Sequence, residues 1–393
     1  MSPVNTMSHA NGHVNGHVNG STTTSSRTMK PRKNIALVTT PDHQIYMKEI
    51  PFPIAGPDEA IVHVKATGIC GSDVKFWKTG GIGDYVVDKD IVLGHESSGV
   101  VIAIGSNVKN VQVGDRVSIE PGQSCWACGQ CKSGRYNLCP DVKFVGTPPT
   151  DGTLARYIAH KASFLFKIPE TMSFSTAALV EPISVALGGI QRSGLVFGQP
   201  VLICGAGPIG LNALAIAKAA GAYPILVTDI AQHKLERARE MGADLVLCCQ
   251  TSWDGKEVAR RIRGLMGEVE EGLEPEVALE CTGAQTSFYA AGYAIRSGGV
   301  LMEIGNGHNE QMIPLQNLSM REVDVRFLFR YINTWPLVLR MLSAGKLVGV
   351  QGMITHTFKL EESVEAFLLA ADPKGGSVKV QIVDEDEDED EEE

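Results

Sequence analysis

The chain has 393 residues, 44% hydrophobic and 20% charged, which is enough to bury a substantial core and to build two domains. It has no apolar run long enough to cross a bilayer, and its polar start, MSPVNTMSHANGHVNGHVNG, lacks the apolar stretch of a secretory signal, so a cytoplasmic protein away from membranes is expected. The net charge of −10 is accounted for by the last ten residues, DEDEDEDEEE; the body is neutral and has no basic stripe, which argues against a nucleic-acid surface.

Residues 1–30 are rich in Asn, Gly, Ser, Thr and His and carry the repeat VNGHVNGHVNG, which offers no apolar face to bury, so this extension is expected to be disordered. From Asn34 to Ile119, short β-branched or alternating runs (KNIALVTT, AIVHVKATG, SSGVVIAIG, GDRVSIE) are broken by Gly and Pro, the pattern of a mostly β, barrel-like domain. The next segment, CWACGQCKSGRYNLC, holds four of the nine cysteines, Cys125, Cys128, Cys131 and Cys139. Thiolates at these intervals can wrap one tetrahedral Zn²⁺ with every position filled, so a structural site is expected. A disulfide pair is disfavoured by a reducing compartment and by the odd cysteine total, and a nucleic-acid zinc ribbon by the charge balance.

After Glu181 the texture changes to short apolar strands alternating with helical stretches: PVLICGAG, LNALAIAKAAGA, PILVTD, AQHKLERAREMGA, DLVLC, PEVALECTG, GGVLMEIG and VDVRFLF. Such alternation predicts a doubly wound parallel sheet, an α/β Rossmann architecture. GAGPIG, with Gly205, Gly207, Pro208, Ile209 and Gly210, follows a buried strand and opens a helix, the context in which glycines let the backbone approach a pyrophosphate at a helix N-terminus. Asp229 ends the next strand, where a carboxylate can accept hydrogen bonds from ribose hydroxyls and repel a 2′-phosphate; with Ile230 beside it, NAD is expected over NADP. Lys234 reads equally as a solvated helix charge or as a contact to the adenosine end. Past Trp335, the runs LVLRMLSAGKL, GMITHTFKL, SVEAFLLA and SVKVQIV are expected to return to the first domain. The acidic terminus reads as a solvated, self-repelling tail.

A second candidate metal set comes from separate loops: Cys70 in GICGSD, His95 and Glu96 in LGHESSG, and Glu181 in LVEPIS. No spacing rule joins them. Taken singly, Cys70 reads as a small buried side chain and His95 as a turn histidine. Ser72 reads as a turn hydroxyl or as a proton relay.

From GICGSD and the GHE loop through the four-cysteine lobe to GAGPIG, about residues 34–383, the chain resembles the medium-chain zinc-dependent dehydrogenases. GHESSG, VEPISVA and FRYINTW are similar to the polyol group that acts on sorbitol, xylitol and L-arabinitol, most of all to fungal members oxidising L-arabinitol. The resemblance implies a GroES-like catalytic domain (31–186 and 336–383), an NAD-binding Rossmann domain (187–335), two zinc ions per subunit and a homotetramer. It implies catalytic-zinc ligation by Cys70, His95 and Glu96, with Glu181 either binding the metal or holding its water, and Ser72 as relay hydroxyl. Arg330 and Tyr331 match positions that contact polyol hydroxyls, Arg330 also lying at the coenzyme, while Ile304, Leu328 and Phe329 match the nicotinamide pocket. Phe76 stands where sorbitol dehydrogenases usually carry tyrosine, which supports a five-carbon substrate. The implied reaction is oxidation of L-arabinitol to L-xylulose in L-arabinose catabolism. Sorbitol or xylitol oxidation is the nearest alternative; a metal-free NADPH quinone reductase or a non-catalytic zinc-bearing protein is the alternative of another class.

Overall fold

The computed structural model describes Arg32–Glu385, so the expected disorder of 1–30 and most of the acidic tail lie outside the described residues. By contacts the chain divides into Met1–Arg32 and Lys33–Glu393, and every strand and helix among the described residues lies in the second unit.

The first part of this unit is built on β1 (Glu59–Gly68), β2 (Glu96–Ile104), β3 (Arg116–Ile119), β4 (Tyr157–Lys161) and β5 (Leu165–Lys167), with helix α1 (Gly71–Thr79) directly after β1. Helix α2 (Val180–Ser193) leads out of it. Six strands follow: β6 (Val201–Cys204), β7 (Ile225–Asp229), β8 (Leu245–Cys248), β9 (Val277–Glu280), β10 (Val300–Glu303) and β11 (Asp324–Phe327). They pair in the order β8-β7-β6-β9-β10-β11, all parallel, and the order reverses between β6 and β9. A ligand crevice in such a sheet lies outside the carboxyl ends of the strands at that reversal. Helix α3 (Pro208–Ala219) starts there, and Gly210 is needed beneath it, because a Cβ would sit 1.8 Å from the Gly205 carbonyl oxygen.

The chain then returns. Strands β12 (Ile354–Lys359) and β13 (Lys379–Val383) complete a seven-stranded sheet ordered β5-β3-β2-β1-β13-β12, with β4 also paired to β1. The register Gln381↔Gly68 places the C-terminal strand beside the loop that carries Cys70. Asp384, expected to begin a solvated tail, is instead 6% exposed: its Oδ2 accepts from His63 Nε2 at 2.7 Å and from Arg156 Nε at 2.9 Å. A charged-run pattern in sequence cannot reveal that its first carboxylate has buried cationic partners.

Two carboxylates end adjacent strands in register, Glu280 of β9 and Glu303 of β10. Glu280 is spent on the turn after it, accepting from Thr282 N, Gly283 N at 2.7 Å and Ser287 Oγ at 2.7 Å. Glu303 Oε2 is buried without a hydrogen-bond partner, and burial together with the Glu280 charge pushes its carboxyl up to about 9. The folded state therefore holds a proton there that the unfolded chain releases near 4.5. Stability from this group is full below that value and is lost as pH rises through about 9. Glu303→Gln should raise the melting temperature at pH 8 by about 2–4 °C and leave it unchanged at pH 5; equal shifts at both pH values in thermal melts would contradict this.

Candidate active site and metal centres

At the coenzyme-type crevice, the Asp229 carboxylate is fixed beside the glycine turn: Oδ2 accepts from Ala206 N and Oδ1 from Ala231 N, both at 2.8 Å. Pro208, Ile209 and Lys234 are half-buried and Ile230 is exposed. Across the reversal, Ile304 follows β10, and Leu328 and Phe329 follow β11.

Two segments of the first part, the turn into α1 and the entry to β2, bring Cys70, His95 and Glu96 together, with one ligand atom from each within 4.8 Å of the others. Cys70 caps α1, its amide held by Asp73 Oδ2 at 2.9 Å, and the other Asp73 oxygen lies 3.2 Å from His95 Nδ1. Nδ1 has that carboxylate at ion-pair distance without hydrogen-bond geometry, which leaves Nε2 as the nitrogen for a metal once the ring turns Nδ1 fully onto Asp73, as behind zinc-ligating histidines. Ser72 Oγ lies 3.5 Å from that Nε2. Burial works against charge on His95, but Asp73 and the Cys70 sulfur outweigh it and hold its pKa well above the usual value. Glu96 is 1% exposed and fits only because residue 68 is glycine, where a Cβ would lie 2.1 Å from Glu96 Oε2. Its carboxylate is gripped on both oxygens by buried Lys379 Nζ, at 2.7 and 2.8 Å, and Lys379 also donates to the Ile69 carbonyl at 3.0 Å.

Glu181, in the first turn of α2, is outside that mutual group but buried near it. Burial pushes it up to about 7, the His95 charge opposing and the Glu96 charge adding to the shift. Tyr331 OH donates to Glu181 Oε1 at 2.9 Å. Arg330 has φ 60°, and its guanidinium carbon stacks 3.8 Å from the Phe144 ring centre. Its Nη1 is buried with no hydrogen-bond partner, an unspent donor of the kind a polar ligand satisfies. Phe76 is 3% exposed and packed in the core of the first part with Trp77 and Leu93.

The sequence reading missed Asp73 and Lys379. Asp73 has a legible signal, a carboxylate three residues after Cys70, poised to cap α1 and reach back to its first amide. Lys379 is a charge inside the apolar strand SVKVQIV, which is costly to bury unless it is paired.

In the cysteine lobe, Cys125 Sγ lies 3.5 Å from Cys139 Sγ and 3.9 Å from Cys131 Sγ, and all four cysteines are free thiols. Zinc–sulfur bonds of about 2.3 Å give a tetrahedron edge of about 3.8 Å, so this set fits the ion. Amides of Ala127 and Cys128 point at Cys125 Sγ and hold that thiol down at about 6, favouring the thiolate a metal needs. The Cys70 set also fits, in donor types and spacing, a site that keeps one position open. Cys128→Ser should lower the melting temperature by about 5–10 °C, since metal closure of a small lobe is folding free energy, while protein that stays folded keeps its zinc at the Cys70 set; a variant that melts like the parent but has lost that zinc would reverse the roles of the two sets.

Residues 56–170 match the alcohol dehydrogenase GroES-like domain and residues 208–344 the zinc-binding dehydrogenase model. The chain is 46% identical to an L-arabinitol 4-dehydrogenase of Aureobasidium melanogenum, covering 90% of this chain and 97% of that one. It is 44% identical to a sorbitol dehydrogenase of Bos taurus, covering 89% and 96%. Among solved structures, an Escherichia coli oxidoreductase/dehydrogenase of unknown specificity superposes with a TM-score of 0.82 at 31% identity, covering 90% of this chain and all of that one. No helix among the described residues is long and apolar enough to cross a membrane. With the parallel sheet, the GroES-like part and these similarities in place, the chain belongs to the zinc-dependent dehydrogenases of the polyol, sorbitol-dehydrogenase type and is an oxidoreductase.

Proposed function

We propose that this enzyme oxidises L-arabinitol at C4 to L-xylulose with NAD as acceptor, using Cys70, His95 and Glu96 to hold a catalytic zinc. The observation that carries the reading is the site's composition: a three-ligand group beside a buried carboxylate, Glu181, with Tyr331 and the unspent Arg330 donor next to it. A zinc ion held there supplies a Lewis acid that makes an alcohol easier to deprotonate. Glu181, with its pKa near 7, is placed to take a proton at neutral pH, and Tyr331 OH orients it. Ser72 Oγ is the alternative relay. Arg330 donates to substrate hydroxyls, a role suited to a ligand with an oxygen on every carbon. Ile304, Leu328 and Phe329 line an apolar pocket for the nicotinamide, the glycines of 205–210 cradle the pyrophosphate, and Lys234 stands at the adenosine end. Cys125, Cys128, Cys131 and Cys139 hold a second, structural zinc.

Sorbitol oxidation is the second reading, favoured by the similarity to a mammalian sorbitol dehydrogenase. Initial rates with L-arabinitol, xylitol and D-sorbitol decide between them: L-arabinitol dominant supports the first, D-sorbitol dominant replaces it. We place the enzyme in the cytoplasm as a homotetramer; the open edge strand β11, with Phe327 62% exposed, supports self-association.

The coenzyme assignment rests on the fixed Asp229 carboxylate. Asp229→Ser with Ile230→Arg should lower the NAD/NADP ratio of kcat/KM by about a hundredfold or more, through loss of the ribose acceptor and gain of a phosphate partner. An unchanged ratio in steady-state kinetics would remove this basis for NAD.

A further inference from the structure

Helix α2 joins the two halves of the enzyme. Glu181 stands in its first turn, and two turns later come Gly188 and Gly189, both buried. Glycine is a poor residue in a helix interior, so a consecutive pair there calls for a reason. The neighbours of each position supply it, and they differ. A Cβ on Gly188 would meet the Arg330 carbonyl and Leu328 Cδ1 at 3.4 Å and Tyr331 Cβ at 3.5 Å, which are ordinary contacts. A Cβ on Gly189 would lie 2.4 Å from Ile304 Cδ1 and 3.0 Å from its Cγ1.

Ile304 is the residue with which the chain leaves β10, and its backbone is fixed: its amide donates to the Glu280 carbonyl at 2.8 Å. It lies at the carboxyl ends of the strands, on the far side of the sheet reversal from Asp229. If Asp229 takes the adenosine half of a dinucleotide, the other half runs across the ends of β9 and β10, where Ile304 is. The depth at which Ile304 seats against α2 therefore sets the wall of the nicotinamide pocket relative to Glu181 on the same helix.

We propose that Gly189 is a positioning residue for the coenzyme: the missing side chain is the seat that lets Ile304 pack against α2 and keeps the nicotinamide pocket open beside Glu181. This rests on the NAD reading above. Gly189→Ala displaces Ile304 by side-chain rotation, because the atoms in conflict are the outer ones and its amide is held. The helix itself suffers no loss, since alanine is the better helix former.

The test is a fluorescence titration of NADH into the zinc-loaded enzyme and three variants, with thermal melts alongside. Gly189→Ala is expected to weaken NADH binding by about tenfold, Gly188→Ala to change it by less than about twofold, and Gly189→Ala with Ile304→Val to recover most of the loss. The valine removes Cδ1, the atom at 2.4 Å, and leaves the tight but passable Cγ1. Melting temperatures of the alanine variants should equal or exceed the parent's. NADH affinity in Gly189→Ala equal to the parent's, or a loss that valine at position 304 does not relieve, overturns the seat. A lower melting temperature with unchanged affinity overturns it too and assigns Gly189 to packing alone. A parent that binds no NADH removes the coenzyme reading on which the inference rests, whereas a parent that binds NADH while Gly189→Ala binds it equally well removes only the seat.

Discussion

Lys379→Met is expected to destabilise the zinc-stripped protein by about 3–5 kcal/mol, a fall in melting temperature on the order of 10 °C. The cause is asymmetric. The Lys379 and Glu96 side chains are 2% and 1% exposed, and the ammonium is held between both Glu96 oxygens and the Ile69 carbonyl. Methionine fills similar volume but leaves a buried carboxylate without a countercharge. A cation bound by Cys70, His95 and Glu96 would itself supply that countercharge, so zinc loading should return a large part of the loss, and Lys379→Arg should lose less than Lys379→Met in either state. Melts with and without zinc check this. A zinc-stripped Lys379→Met protein as stable as its parent would show that Glu96 carries no charge in the fold.

His95→Ala is expected to cut polyol oxidation by about a thousandfold, the rate equivalent of about 4 kcal/mol of lost Lewis-acid assistance. Zinc should fall from about two to about one per chain, because the four-cysteine lobe is an independent closed site. The buried imidazole has Asp73 beside one nitrogen and the ligand group on the side of the other, so truncation removes the proposed ligand, while the Asp73 carboxylate keeps the amides of Cys70 and Gly94. Metal content and NAD reduction measured on the same preparation separate this from unfolding: a folded variant retaining both zinc ions would place the metal elsewhere.

These two cases also show where sequence is legible and where it is not. The parallel sheet could be read because its signals are local: buried runs such as VLIC and PILVTD, and a glycine fingerprint between a strand and a helix. The cysteine lobe is local as well, its four thiols falling within one loop. The Cys70 set is not, since Cys70, His95 and Glu96 meet only when β1 and β2 pair, and read singly they look structural. Lys379 is 283 residues from Glu96, and Tyr331 is 150 from Glu181. No periodicity encodes such pairs. Asp384 shows the converse, a residue whose local pattern points to solvent while its partners bury it.

The zinc-assisted reaction is tested by NAD reduction with L-arabinitol followed as zinc is withdrawn and restored, with zinc counted per chain. It predicts about two zinc ions per chain, activity that disappears when the ion held by Cys70, His95 and Glu96 leaves while the fold persists, and recovery when zinc is returned. Undiminished turnover by a chain holding zinc only in its cysteine lobe would contradict the assignment of Cys70, His95 and Glu96 and, with it, the zinc-assisted reaction proposed here.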